Sequence, residues 1–279
     1  MRRVPPGAVA VRYALLVVIS AAILLPLVWT FSSSLRATTS LFEFTTPLGW
    51  RTFVPWPVTW DHYRYVFTQG GLAHALGNSL VVSGTTAVLG ALVNGLAGFA
   101  FAKYRFPGRD VLFALVLITF MVPFEAIIIP LFLTITRLGW LNTYQALIAP
   151  AVADGLSIFV FRQFFQALPD ELLDAARVDG ASTLVLFARV VAPLSAPAFA
   201  TVAVMVFLSQ WEAFFWPLVA TSGPGLQVVQ VNVSLAISQE QTYWGHLFAS
   251  ATVASLVPMV LFLTLQRSYV QGIAATGLR

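Results

Sequence analysis

The sequence predicts an all-α polytopic membrane protein with six transmembrane helices. Three observations carry this expectation. The 279 residues are 58% hydrophobic and 9% charged, with a mean hydropathy of +0.84, whereas a soluble domain carries about 25% charged residues. Several apolar runs reach the roughly 20 residues that a helix rising about 1.5 Å per residue needs to cross a bilayer. The 15 lysines and arginines also sort to one side of such an arrangement.

The expected spans lie at about 12–32, 75–100, 110–134, 142–164, 195–220 and 246–267. The first follows Arg2, Arg3 and Arg12, as a secretory signal would. Its apolar core is long for a signal, and no clean small-x-small cleavage site follows before Ser32, so it reads as a retained span. With the N-terminus inside, eleven basic residues fall on the inner side: Arg2, Arg3, Arg12, Lys103, Arg105, Arg109, Arg162, Arg177, Arg189, Arg267 and Arg279. Four fall outside: Arg36, Arg51, Arg64 and Arg137. This follows the positive-inside rule and puts both termini in the cytoplasm. The net charge of +4 is then a product of topology, not of a nucleic-acid surface. With no cysteine in the chain, disulfides and thiolate metal sites are excluded.

Three parts are expected: a first helix with an outer aromatic loop (1–72), a five-helix core (73–267) and an inner tail (268–279). The outer loop is rich in Phe, Trp and Tyr, which suits either an interfacial cap or a surface for an outside partner. In the second span Ala91, Gly95, Gly98 and Ala102 form a face of small residues, which lets two helix backbones approach closely.

Polar residues within the spans mark a possible route. Glu125 lies between Pro123 and Pro130, and Asp154-Gly155 interrupts the fourth span. Gln210, Trp211 and Glu212 precede an aromatic run ending in Trp216-Pro217. Ionisable groups at membrane depth are costly and normally face protein or water, and prolines there bend or interrupt a helix. With Asn94, these residues are candidates to line a polar route with aromatic walls; the alternative is that each acid lies at a helix end or pairs locally. No HExxH, nucleophile elbow, phosphate-binding loop or metal-ligand cluster is present, so no catalytic site is expected. His62, His74 and His246 read as structural.

The inner loop between spans four and five is the most polar stretch. PDELLDAARVDGAS (169–182) holds four of the eleven acidic residues. Pro169 and the acids after it suit a helix start, Leu172, Leu173 and Ala176 suggest an apolar stripe, and Asp174 and Arg177 form an i,i+3 pair. Gly180 should turn the chain into a second helix, 181–191, stopped by Pro193 and Pro197. A lipid-surface helix would favour basic residues, so this acidic helix–turn–helix points to a protein docking element.

That stretch, followed by FARVVAPLSAP (187–197), resembles the cytoplasmic loop of permease subunits of binding-protein-dependent ABC importers. NSLVVSG (78–84), AGFAFAKYRFPGRD (97–110), MVPFEAIIIPLF (121–132), WEAFFWPL (211–218) and LQRSYVQG (265–272) are similar to carbohydrate permeases of the maltose-transporter type. The resemblance implies the type I permease fold and a coupling helix, with Glu171, Asp174, Ala175, Ala176, Arg177, Asp179, Gly180 and Pro193 as its ATPase-coupling residues. Asp174 stands where the family usually has glutamate. It further implies a second permease subunit, two ATP-binding cassette subunits carrying ATP and magnesium, an outer solute-binding protein and a carbohydrate substrate, in the lipid of a bacterial inner membrane. This chain itself would hold no cofactor. The substrate pathway is expected at Glu125, Asp154, Gln210, Trp211 and Glu212. In the tail, Thr276 and Arg279 depart from the family's glycine and lysine. Alternatives are an ion-coupled secondary transporter or channel, a non-transporting scaffold, and an ABC permease for a non-sugar solute.

Overall fold

The computed structural model describes residues 6–43, 45–46, 49–237 and 242–277, with side chains for all but 6–8, 10 and 265–277 of these. Among the described residues the regular structure is all helical apart from one isolated bridge, between Ile237 and Thr242. Three helices are each long and apolar enough to cross a membrane unbroken, within α1 (Pro6–Ser34), α3 (Leu72–Lys103) and α12 (Trp244–Gly277). Three further spans are bent pairs, giving up to six in all.

The breaks are the main departure from six straight rods. Helices α4 (Arg109–Met121) and α5 (Phe124–Arg137) meet at 99° across Val122-Pro123. Each is roughly 20 Å long at about 1.5 Å per residue, short of a hydrocarbon core of roughly 30 Å. Helices α6 (Tyr144–Val152) and α7 (Gly155–Gln166) bend by 42° at Asp154, where the sequence signalled an interruption. The fifth expected span, 195–220, is corrected. Helix α9 (Thr183–Leu194) turns by 85° into α10 (Ala196–Trp211), and the chain breaks again before α11 (Phe215–Ala220). Pro193 therefore sits inside the last turn of α9, and Pro197 opens α10 instead of stopping the helix before it. A proline in the first turn lacks only a donor that would be orphaned anyway, which is why α10 tolerates it.

Contacts divide the chain into two compact units, 1–72 with 232–256, and 73–231 with 257–279. In the first, the segment that follows α1 is folded by polar contacts. The buried Arg36 side chain donates to the carbonyls of Arg51 and Val54, and its own carbonyl meets His62 Nε2 at 2.9 Å. Ser34 Oγ bonds the hydroxyl of Tyr63 in α2 (Asp61–Thr68) at 2.6 Å, and Trp29 meets Phe248 edge-on at 5.2 Å. None of the apolar stretch of α1 is buried within the chain, as befits a helix whose surroundings are lipid.

The second unit is organised on α3 and has two apolar clusters. One joins Phe99, Phe161, Phe165, Phe187, Val191 and Val202. The other joins Val82, Ile128, Ile135, Leu147 and Trp216. The small face of α3 is what lets the first form. A Cβ on Gly98 would stand 2.6 Å from Phe161 Cβ and 3.1 Å from the Arg162 nitrogen, and one on Gly95 would stand 3.2 Å from the Phe199 ring. Gly98→Val should therefore lower stability by about 1–3 kcal/mol through overpacking. Gly84→Ala, with nothing within 4 Å of the added carbon, should be neutral or stabilising. Thermal unfolding of the purified chain in detergent distinguishes them, and equal melting temperatures would contradict the close approach of α3 and α7.

Candidate functional site

A cavity of about 550 Å³ lies among three of the four helix breaks. Phe120 and Phe124 flank it at the α4–α5 break, Asp154 and Ser157 at the α6–α7 break, and Gln210, Phe214 and Trp216 where α10 gives way to α11. Its wall is mainly apolar and aromatic, with a few polar groups, the usual make-up of a small-molecule site. Trp216 is fixed from behind: its indole N–H donates to the Ala146 carbonyl at 2.9 Å and its ring meets Phe124 edge-on at 6.2 Å.

The break at Asp154 is stitched to α3 by one side chain. Asn94, fully buried at 0% exposure, donates from Nδ2 to the Val152 carbonyl at 2.9 Å and accepts the Asp154 N–H on Oδ1 at 3.0 Å. It thus satisfies one backbone group on each side of the bend, which in lipid would otherwise go without a partner. The Asp154 carboxylate caps α7, accepting from the N–H groups of Leu156 (3.3 Å) and Ser157 (2.8 Å) and from Ser157 Oγ (2.6 Å).

Of the pathway residues expected from sequence, Asp154 and Gln210 line this cavity. Glu125 is exposed in the first turn of α5, and Glu212 is exposed at the end of α10; neither belongs to the lining. Trp211 is 1% exposed, stacks on Phe207 at 5.8 Å and lies outside the lining as well. Asn94 is the clasp just described. Sequence reasoning missed Phe120, Phe124, Ser157 and Trp216 as wall residues. The available signal was that aromatics flank Pro123 and crowd between Glu212 and Pro217.

The second site is the polar helix–turn–helix. Helix α8 (Asp170–Val178) ends in a paired closure, with Ala181 N–H donating to Ala176 O and Gly180 N–H to Arg177 O, both at 3.0 Å. Gly180 sits at φ +80°, the left-handed conformation this closure needs and glycine supplies without strain. Ser182 then caps α9, accepting from Val185 N–H at 3.5 Å. Leu173 and Ala176 turn inward onto the aromatic cluster, while Leu172 is exposed, so the expected apolar stripe is split between two faces. Glu171, Asp174, Ala175, Arg177, Asp179 and Gly180 face out, as does Pro193 at the far end of α9. Beside the acids stand two bare apolar side chains, Val178 (88% exposed) and Leu184.

The end of α3 holds this element at both ends. Lys103, its side chain 6% exposed, donates to the Leu168 carbonyl and to Asp170 Oδ1, each at 2.6 Å. Tyr104 donates to Thr183 Oγ1 at 3.2 Å, and the Arg177 guanidinium, bonded to Asp174 at 2.8 Å, lies 5.9 Å from the Tyr104 ring. The Lys103 hydrogen bond, and then its charge, hold the Asp170 carboxyl below its ordinary value. Among the described residues no three His, Asp or Glu side chains come together as a metal site would require. The side chains of the tail, including Thr276, and all of Arg279 lie outside the described residues.

Two outcomes follow. Asn94→Leu leaves the Val152 carbonyl and Asp154 N–H unsatisfied, at about 1–3 kcal/mol each; hydrogen exchange across 152–157 should accelerate, and unchanged exchange would remove the clasp. Lys103→Met should speed exchange across 168–175. Because the Asp170 value is depressed on folding, the wild-type latch is complete above the ordinary carboxylate range and is lost only as pH falls through the depressed value. The variant should lack that acid step, and an identical pH profile in both would exclude the latch.

Comparison with known proteins agrees with this architecture. Residues 94–274 match the family of binding-protein-dependent transport system inner membrane components. The arabinooligosaccharides transport system permease protein AraQ of Halalkalibacterium halodurans is 33% identical over 255 residues, 91% of this chain and 90% of that protein. The sn-glycerol-3-phosphate permease UgpE of Yersinia enterocolitica is 33% identical over 261 residues, 90% of each chain. The lactose permease protein LacG of Rhizobium radiobacter is 30% identical over 271 residues, 97% and 96% of the two chains. In fold the chain is similar to a crystal structure of a bacterial ABC transporter involved in the import of the acidic polysaccharide alginate. That match has a TM-score of 0.81 at 21% identity, over 96% of this chain and 99% of that one. The protein is a non-catalytic, multi-pass component of the bacterial inner membrane and belongs to the binding-protein-dependent transport system permease family.

Proposed function

We propose that this chain is one of two permease subunits of an ATP-driven importer for a carbohydrate or carbohydrate derivative. One observation carries the reading furthest: an exposed acidic helix–turn–helix and a cavity at three helix breaks are built on the same two helices, α3 and α7. Leu173 seats α8 in the cluster that contains Phe161 and Phe165 of α7, and the start of α7 lines the cavity. Movement of α8 is thus transmitted to the cavity wall through packed side chains. In this reading Glu171, Asp174, Ala175, Arg177, Asp179 and Gly180, with Val178 and Leu184, meet the ATPase, which carries the ATP and magnesium. Ala176 and Pro193 shape the element from within and from its far end. The inner tail, 268–279, and both termini lie on the cytoplasmic side with it, and the outer loop of residues 1–72 faces the solute-binding protein.

The sugar class rests on the relatives, whose names include arabinooligosaccharide and lactose transport, together with the wall. Aromatic faces at Phe124, Phe214 and Trp216 beside Gln210 and Ser157 suit a ring with apolar faces and a hydroxyl edge. Glu125 and Glu212, exposed beside the cavity, extend the polar rim toward the second permease, and Trp211 backs Gln210 from the interior.

Gly180→Trp forces a side chain into the left-handed region at about 1–2 kcal/mol and places an indole on the docking face. In a reconstituted complex it should break the link between ligand-stimulated ATP hydrolysis and uptake; normal coupling would sink the docking assignment. Gln210→Ala should weaken uptake by roughly 2- to 10-fold in apparent affinity, the range of one neutral hydrogen bond, with basal ATP hydrolysis retained. Unaltered uptake kinetics would take Gln210 off the route. Co-purification with two ATPases and a second permease tests the assembly itself.

A further inference from the structure

The turn between α3 and α4 carries a feature that neither transport nor docking uses. A pocket of about 390 Å³ is lined by Arg105, Phe106, Gly108, Arg109, Asp110 and Val111. Arg105 is exposed, and among the described residues its side chain makes no hydrogen bond or ion pair. Arg109 donates from Nε to Asp110 Oδ1 at 3.0 Å. The pocket lining therefore presents two guanidinium groups against the one carboxylate of Asp110. Arg105 also feels the Asp170 carboxylate electrostatically without bonding it; counting Lys103 with Asp170, the turn keeps a surplus of one positive charge. Asp170 is bonded by Lys103, close by in sequence, so Arg105 is left to its long-range attraction only. The turn has a firm base, since Phe106 packs on Phe101 at 5.9 Å and Phe101 on Phe113 at 5.4 Å.

We propose that this turn binds the headgroup of an anionic phospholipid. A guanidinium fork matches phosphate oxygens, and a basic pocket at the end of membrane helices attracts anionic lipid. What selects a lipid over a soluble phosphate ester is the surface that continues from the pocket. Val111, Leu115 and Ile118 are all exposed, and their spacing of four and three sets them in one stripe along α4. A phosphodiester at Arg105 and Arg109 leaves its acyl chains directly along that stripe. The bound lipid then braces the end of α3 two residues from the Lys103 latch. The assignment does not depend on which solute crosses the membrane.

The test uses the chain purified with the membrane complex that accompanies it, stripped of lipid and titrated with phosphatidylglycerol or phosphatidylcholine. Native mass spectrometry reads retained lipid. Phosphatidylglycerol should be retained preferentially, with a loss on the order of five-fold for each of Arg105→Gln and Arg109→Gln. An Arg105→Lys, Arg109→Lys double variant should keep part of the preference, and melting temperatures matching wild type confirm that the variants fold. Equal retention of both lipids, or retention unchanged in the glutamine variants, would overturn the proposal. So would equally effective displacement by inorganic phosphate, which would mark a soluble-anion site. Loss of co-purifying subunits with lipid retention intact would instead assign the arginines to a protein contact. Because the readout is bound lipid, its failure leaves the transport reading standing, and failed uptake leaves this one standing.

Discussion

A helix that breaks inside a membrane must find partners for the backbone groups it releases, and the second unit of this protein is arranged around that demand. Asn94 meets it at the bend between α6 and α7, with a donor for Val152 and an acceptor for Asp154 on the same amide. A carboxamide offers its donor and its acceptor on two separate atoms of one short, uncharged side chain, which lets it reach both backbone groups at once. Because the pair is completed from α3, the bend is fixed in position relative to that helix as well as closed. Close approach makes this reach feasible: a Cβ on Gly90, one turn before Asn94, would stand 3.3 Å from the Val152 carbonyl. Small residues, buried amide and bend are thus one device.

From this clasp the cavity and the acidic helix–turn–helix inherit their placement. On one side the start of α7 forms cavity wall; on the other, its phenylalanines hold Leu173 of the acidic element. The cavity needs irregular backbone, since broken helices are tolerated at this depth where they are buried in protein or line a cavity. The element needs the opposite, a stiff connection, and obtains it from aromatic packing and from the paired closure at Gly180. Soft and stiff parts are therefore separated along a single helix, with the acid at its start serving as cap and as wall.

How much of this could be read from the sequence depends on whether a signal was local. Gly180 and its acidic helix were legible because a left-handed glycine after a short helix obeys rules of a few residues. The interruption at Asp154-Gly155 was legible for the same reason. The 99° turn at Pro123 was not, because a proline allows a kink without fixing its angle. Nor was the split of span five, where apolar content continues across Glu212 while the helix does not. Trp211 and Trp216 show the limit at the cavity: two tryptophans five residues apart look alike in sequence. Tertiary packing turns one inward against Phe207 and sets the other in the wall. Asn94 was visible as a polar residue, but its role depends on a partner some sixty positions away.

The wide turn in α9, where Phe187–Val191 adopts π-helical hydrogen bonding, constrains the lineage more than the fold. Such a turn accommodates one residue more than an α-helical turn would, so shortening the chain there by one would leave a locally perfect helix. It would also rotate everything beyond by about 100°. Phe199 would swing away from Phe161, and Gln210 from the cavity. Substitutions in this stretch can be absorbed one at a time, but a change of length cannot. The segment between Ser182 and Trp211 should therefore drift in composition among descendants of this sequence while keeping its residue count.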